Sequence, residues 1–202
     1  MNMRKFVLFV LLPVLCVSCT TLPPWKPVPT GQSVVYGQLQ DSRRALSFIA
    51  FANDPGIIAI SVENFFGVFT PRYGMVVDQP ARSAMREALA KYAEWSKLAE
   101  DNRVEITREI NTVTVPQMFY RRDGWEAEGT RDVSFVFSSR LGQTDEPRVT
   151  LLVRTTSFFY GVDQMVLNDA QAGDFRKYLE DDEADSGYRQ AKKKQDALDM
   201  FK

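Results

Sequence analysis

The order of apolar patterns along the chain predicts an α+β domain with a mainly antiparallel sheet. Three observations carry that expectation. Runs rich in β-branched and aromatic residues fall into two groups, one on each side of a long amphipathic segment. Turn residues punctuate each group, which suits hairpins rather than crossover connections. Two short polar residues, Asp78 and Asn168, each stand between the end of an apolar run and the start of a helical pattern.

The strand pattern starts at Val34. Ala45–Ala52 and Ile57–Phe66 form an expected hairpin, because Asn53-Asp54-Pro55-Gly56 between them is turn chemistry. Asp and Asn bond their own backbone there, and Pro and Gly set the turn dihedrals. Gly67–Val77 reads as a third strand, with Pro71 favouring an edge or a break.

The first principal helix is expected at about 79–99. Ala81, Met85, Ala88, Tyr92, Trp95 and Ala99 recur at alternating spacings of four and three, which draws one apolar stripe. Pro80 suits the first turn, and Glu87 and Lys91 are spaced to pair on the wet side.

Val104, Ile106, Arg108 and Ile110 alternate, and then the phase shifts to Val113 and Val115. A phase shift within one strand predicts a bulge near Asn111-Thr112. Asp123-Gly124 signals a hairpin turn. Val133, Phe135 and Phe137 alternate as one buried face, and Val149–Thr156 is a further strand. Asn168 or Asp169 then caps the second principal helix, at about 169–182. A faint echo at an offset of ninety residues sets Met75-Val76-Val77-Asp78 beside Met165-Val166-Leu167-Asn168, a weak sign of an internal repeat.

The N-terminus follows a different rule. Arg4 and Lys5 precede Phe6–Leu15, which is apolar apart from Pro13. Ten residues rise about 15 Å as a helix, half of a bilayer core, so the run is too short to span a membrane and has the form of a secretory signal. Leu15-Cys16-Val17-Ser18-Cys19 resembles the lipobox of bacterial lipoproteins, with Cys16 standing where that pattern usually has Leu. The resemblance implies cleavage before Cys19, a lipid on its thiol and acylation of the new amine. Two or three acyl chains anchor far more firmly than one. Thr20 follows in place of the Asp that retains such proteins at the inner membrane, which points to the outer one. The expected organisation is therefore a signal peptide over 1–18, a lipidated Cys with a Pro-rich tether over 19–33, a single domain over 34–180 and a charged tail over 181–202. The tether reads as a spacer or as a docking peptide. The tail holds the acidic run Glu180-Asp181-Asp182-Glu183 and then Lys192-Lys193-Lys194. The run lacks the loop spacing of a calcium site.

Composition excludes much chemistry. The chain of 202 residues carries 25 Lys and Arg against 26 Asp and Glu and has no His. A nucleic-acid partner is not expected from so even a balance. Without His, and with both Cys confined to the signal and the lipid site, His- or Cys-based nucleophilic dyads and soft metal sites are out of reach. No cofactor and no metal are expected. What remains is a non-catalytic domain that binds an envelope protein or a small envelope ligand, or else a carboxylate-dependent hydrolase of an envelope polymer. The expected binding surface is Phe158, Phe159 and Tyr160. Neighbours on a strand face opposite sides, so at least one ring of such a run points away from the main core. That ring either packs under a helix or lines a contact surface.

The lipid assignment gives a first test. Cys19→Ala should abolish incorporation of labelled fatty acid, whereas Cys16→Ser should retain it. The reverse pattern would move the modification to Cys16.

Overall fold

The structure is a computed structural model that describes residues 27–39, 42–51, 54–63, 73–121, 124–141, 147–157 and 161–200. Its strands are β1 (Pro27–Leu39), β2 (Ser42–Phe51), β3 (Asp54–Glu63), β4 (Tyr73–Val77), β5 (Ile106–Arg121), β6 (Gly124–Leu141), β7 (Pro147–Ser157) and β8 (Gly161–Leu167). Helix α1 (Gln79–Asn102) lies between β4 and β5, and α2 (Asp169–Tyr178) and α3 (Asp181–Asp199) follow β8. The eight strands form one sheet in sequence order, and every neighbouring pair is antiparallel. The expected α+β class with an antiparallel sheet is what the chain adopts. Among the described residues no helix is long and apolar enough to cross a membrane.

Period-two alternation assigns the two faces. Leu46, Phe48, Ile58, Ile60, Met75 and Val77 from the first four strands face the helices, as do Val113, Val133, Phe135, Phe137, Leu151, Val153 and Leu167 from the last four. Ile49, Phe51, Ala59, Val76 and Met118 form a smaller buried cluster on the other face. Among the described residues the two halves of the sheet are hydrogen-bonded to each other where Tyr73, Gly74 and Met75 pair with Phe119, Met118 and Gln117, and β1 also approaches β8. A Cβ on Gly74 would lie 3.0 Å from Met118 Cγ, so a side chain here would press on Met118 across the seam.

β1 is an edge strand, which explains its proline content. Edge strands and bulges tolerate a residue that cannot donate to a ladder. It begins at Pro27, inside the stretch expected as tether, and its register shifts between Pro29 and Ser33, where Gly31 takes a left-handed φ of 83°. The expected bulge in β5 is present, with a register shift between Glu109 and Asn111. The expected strand Gly67–Val77 is described only over β4, and Phe65-Phe66, Pro71 and the hairpin residue Asp123 lie outside the described residues.

All three helices cover one face. α1 crosses β5, β6 and β7; α2 touches β1, β7 and β8; α3 lies on β1, β2 and β3. The stripe expected on α1 is its buried face: Ala81, Met85, Ala88, Tyr92 and Ala99 are buried, joined by Leu89. The Glu87–Lys91 pair is not formed. Ser83 Oγ donates to Glu87 at 3.3 Å, and Lys91 lies over the Trp95 ring instead.

Two corrections concern the C-terminus. The helix expected at about 169–182 is two helices, separated at Leu179 and Glu180, so the described residues form three helices rather than two principal ones. The expected charged tail is mostly α3, and its first half is docked. Ala184 is buried at 5% exposure, and Gly187 is buried against Thr30 and Gln32 of β1. Gln32 Nε2 donates to the Glu183 carbonyl at 3.4 Å and to its carboxylate at 3.3 Å. Arg86 pairs with Glu180 at 3.1 Å, and Arg82 pairs with Asp181 at 3.2 Å. The hydrogen bond from Gln79, followed by the charges of Arg82 and Arg86, holds the Asp181 carboxyl below its usual range. A charge run read from sequence alone looks solvated; here its small residues are what admit close packing.

Two glycines test this arrangement. Gly173 of α2 has nothing within 4 Å of an added Cβ, so Gly173→Ala should raise stability by about 0.5–1 kcal/mol through helix propensity. At Gly187 a Cβ would sit 3.0 Å from Thr30 Cγ2, so Gly187→Leu should lower stability by about 1–3 kcal/mol. Urea unfolding of both variants checks the pair. Equal effects would mean that α3 is not packed on β1.

Candidate functional site

The C-terminal third of α1 and the start of β5 enclose a groove of about 350 Å³. Its construction begins with the helix stop. Arg103 takes the left-handed conformation at φ 50°, and its N–H and that of Val104 both return to the Ala99 carbonyl. A residue with a Cβ strains there by roughly 1 kcal/mol, and such strain is typical of places with a role. The tight reversal sends Val104 and Ile106 back beside Leu98. Trp95, Ala99 and Phe137 complete the apolar lining, with Asn102 and Arg108 at its edges.

This lining is unusual for its exposure. Leu98, Val104 and Ile106 are 51%, 43% and 42% exposed, although each is a large apolar residue. Trp95 is half-buried and meets Phe137 edge-on, with ring centroids 5.7 Å apart. Two cations rest on the same indole: Lys91 Nζ lies 5.1 Å from the ring centroid and Arg108 Cζ lies 5.6 Å from it. Such contacts are worth about 0.5–1 kcal/mol at exposed sites.

A second cleft, of about 280 Å³, lies between α1 and α2 and brings Ser96, Lys97, Glu100, Asp169 and Arg176 into a partly apolar lining. Asp169 there accepts from the Tyr92 hydroxyl at 2.5 Å and from Ser96 at 3.3 Å. Burial, and then the bond to Asp169, raises the Tyr92 phenol well above its ordinary range. Glu100 lines the same cleft. Asp169 also occupies the first turn of α2, where a carboxylate complements the helix dipole. The arrangement ties two helices together and keeps Tyr92 protonated, the opposite of what a general base needs. Among the described residues no group of three or more potential metal ligands is gathered.

No protein-family model, no curated protein and no solved structure matches this chain. The reading of the site therefore rests on its geometry.

Of the residues singled out from sequence, Cys19, Phe158, Phe159 and Tyr160 lie outside the described residues, as does Cys16. The flanking pair Ser157 and Gly161 closes the β7–β8 ladder. Sequence reasoning placed Trp95 within the core stripe and missed the groove. The available signal was Leu98, off the stripe, followed within a few residues by Val104 and Ile106 with no glycine to end the helix.

The tie between α1 and α2 can be tested through its titration. Tyr92→Phe should cost about 0.5–1.5 kcal/mol at neutral pH, the value of one net hydrogen bond. Because the folded state holds the phenol protonated, its contribution is full below the ordinary phenol range and is lost as pH rises above it. The stability gap between the wild type and Tyr92→Phe should therefore narrow in alkali. Denaturant unfolding across that range measures it, and a gap that widens would contradict the assignment.

Proposed function

We propose that this chain is a bacterial envelope lipoprotein, anchored through lipid on Cys19, whose domain is a non-catalytic binder. Its groove between α1 and β5 holds an apolar group of an envelope protein or of a small ligand. One observation carries the binding part of this reading: Leu98, Val104 and Ile106 leave apolar surface in water around a single concave lining floored by Trp95. Fully burying such a side chain is worth about 1.5–3 kcal/mol, so three of them half-exposed together forgo a sizeable stabilisation unless something covers them. The anchoring part rests on the lipobox resemblance, and the outer membrane is its expected location.

The hydrolase reading has its own observation, since Glu100 and Asp169 line one cleft. It is the weaker one, because Asp169 is already engaged by Tyr92 and Ser96. The ninety-residue echo also gains support. β4, Asp78 and α1 follow one another as β8, Asn168 and α2 do, and each cap accepts from the third residue on, Ala81 and Gln171. We read the domain as two units of four strands and a helix, with α3 appended.

The binding reading is tested with an uncharged fluorescent probe, N-phenyl-1-naphthylamine, added to the full chain in bilayer discs. A saturable rise over empty discs is expected, with affinity reduced at least tenfold in Leu98→Asp and Ile106→Asp at an unchanged thermal midpoint. Equal saturable uptake by wild type and both variants would remove the groove from the function.

A further inference from the structure

We propose that the α1–β5 groove takes the single acyl chain of a fatty acid, with the carboxylate held at Arg108. This inference rests on the reading of the groove as a binding site and adds the chemical class of its occupant.

Alternation along β5 sorts its charges between two sides. Ile106, Arg108 and Ile110 share the side that faces α1, with Val104 just ahead of the strand, while Glu105 and Glu109 take the other side. The two carboxylates are engaged there: Glu105 accepts from the Leu141 N–H at 2.8 Å, and Glu109 accepts from the Thr112 hydroxyl at 3.1 Å. Arg108 is therefore the one charge that β5 adds to the groove wall. No carboxylate among the described residues pairs with it. Its described contact is the Trp95 face, which satisfies none of its five N–H donors. Lys91 adds a second positive charge over the same ring. The other polar lining group, Asn102, is committed, since its Nδ2 donates to the Leu98 carbonyl at 2.7 Å.

An apolar lining with a guanidinium at its edge is complementary to an amphiphile carrying a negative head. A guanidinium presents its donors in the fork that a carboxylate accepts. A sugar or nucleotide would find too few polar groups here. A neutral chain would gain nothing from the Arg108 charge. The volume, about 350 Å³, is near the low end for small-ligand sites and suits one chain rather than the two of a phospholipid.

The test is displacement of N-phenyl-1-naphthylamine from the full chain in bilayer discs by decanoate and by decanol. Partition of each competitor into the discs is common to every variant and cancels when variants are compared. In the wild type, the acid-to-alcohol ratio of displacing power should exceed that of Arg108→Met at least tenfold. Arg108→Lys, which keeps the charge, should recover much of the preference. Equal ratios in wild type and Arg108→Met would overturn the fatty-acid assignment and leave a general apolar site. Decanoate that fails to displace a bound probe would overturn it too. The absence of any saturable probe binding would overturn both this inference and the binding reading beneath it.

Discussion

Phe175 holds the two halves of this sheet around one core. It is fully buried, its ring centroid lies 5.9 Å from that of Phe48 on β2 and 6.3 Å from that of Phe135 on β6, and it projects from α2. Aromatic pairs of this kind add about 0.5–1.5 kcal/mol each beyond the area they bury. Position matters more here than the pair energy. Among the described residues the halves share one short ladder, β4–β5, and touch again where β1 approaches β8, so a side chain packed on both between these places resists splaying of the sheet. The helix that carries it is fixed at both ends of its own first turn. Asn168 and Gln171 form a reciprocal capping box, and the Gln171 Nε2 then donates to the Val35 carbonyl of β1 at 2.5 Å. An exposed strand edge is a liability that proteins cover, and here one glutamine both starts a helix and caps an edge carbonyl.

The location of α2 determines what α1 can do. The middle of α1 is tied to α2 through Tyr92, Ser96 and Asp169, and its start is tied to α3 through Arg82 and Arg86. Beyond Ser96 no described hydrogen bond or ion pair joins α1 to another helix. That end rests on the sheet through Trp95 and Phe137, and the chain then reverses at Arg103. The same packing that closes the core over β1 and β2 thus leaves the far corner of the sheet with more apolar surface than there is helix to cover it. The groove is a consequence of where the third layer of contacts stops.

Much of this was legible in the sequence, for reasons that differ by element. The α1 stripe and the Val133–Phe137 alternation are strong because one period runs unbroken over many residues. The β5 bulge was legible because a register error flips every later side chain, so the phase change from Ile110 to Val113 had one structural meaning. The docked half of α3 was not legible. Its contacts are made by Ala184 and Gly187, whose small size permits close approach to β1 but leaves no hydrophobic signature. The groove was illegible for a related reason. Leu98, Val104 and Ile106 look like ordinary core residues until the fold shows that nothing among the described residues sits above them. Burial is a property of the whole chain, whereas periodicity is local.

The consequence for binding follows from where the lining residues sit. Trp95, Leu98 and Ala99 are on a helix whose other two-thirds is locked by hydrogen bonds and ion pairs. Ile106 and Arg108 are on β5, where they pair with Ser139 and Phe137 of β6, and β6 is paired in turn with β7. Side chains held on regular elements pay little ordering entropy when a ligand arrives, and that saving goes directly into affinity. The Trp95 ring is held from below by Phe137 and from its faces by Lys91 and Arg108, which restricts the largest group in the site before anything binds. A loop-built site of the same composition would have to spend part of its apolar gain on ordering. Here the strained residue, Arg103, is placed at the reversal that brings helix and strand together, so the cost of shaping the groove is met during folding rather than during binding.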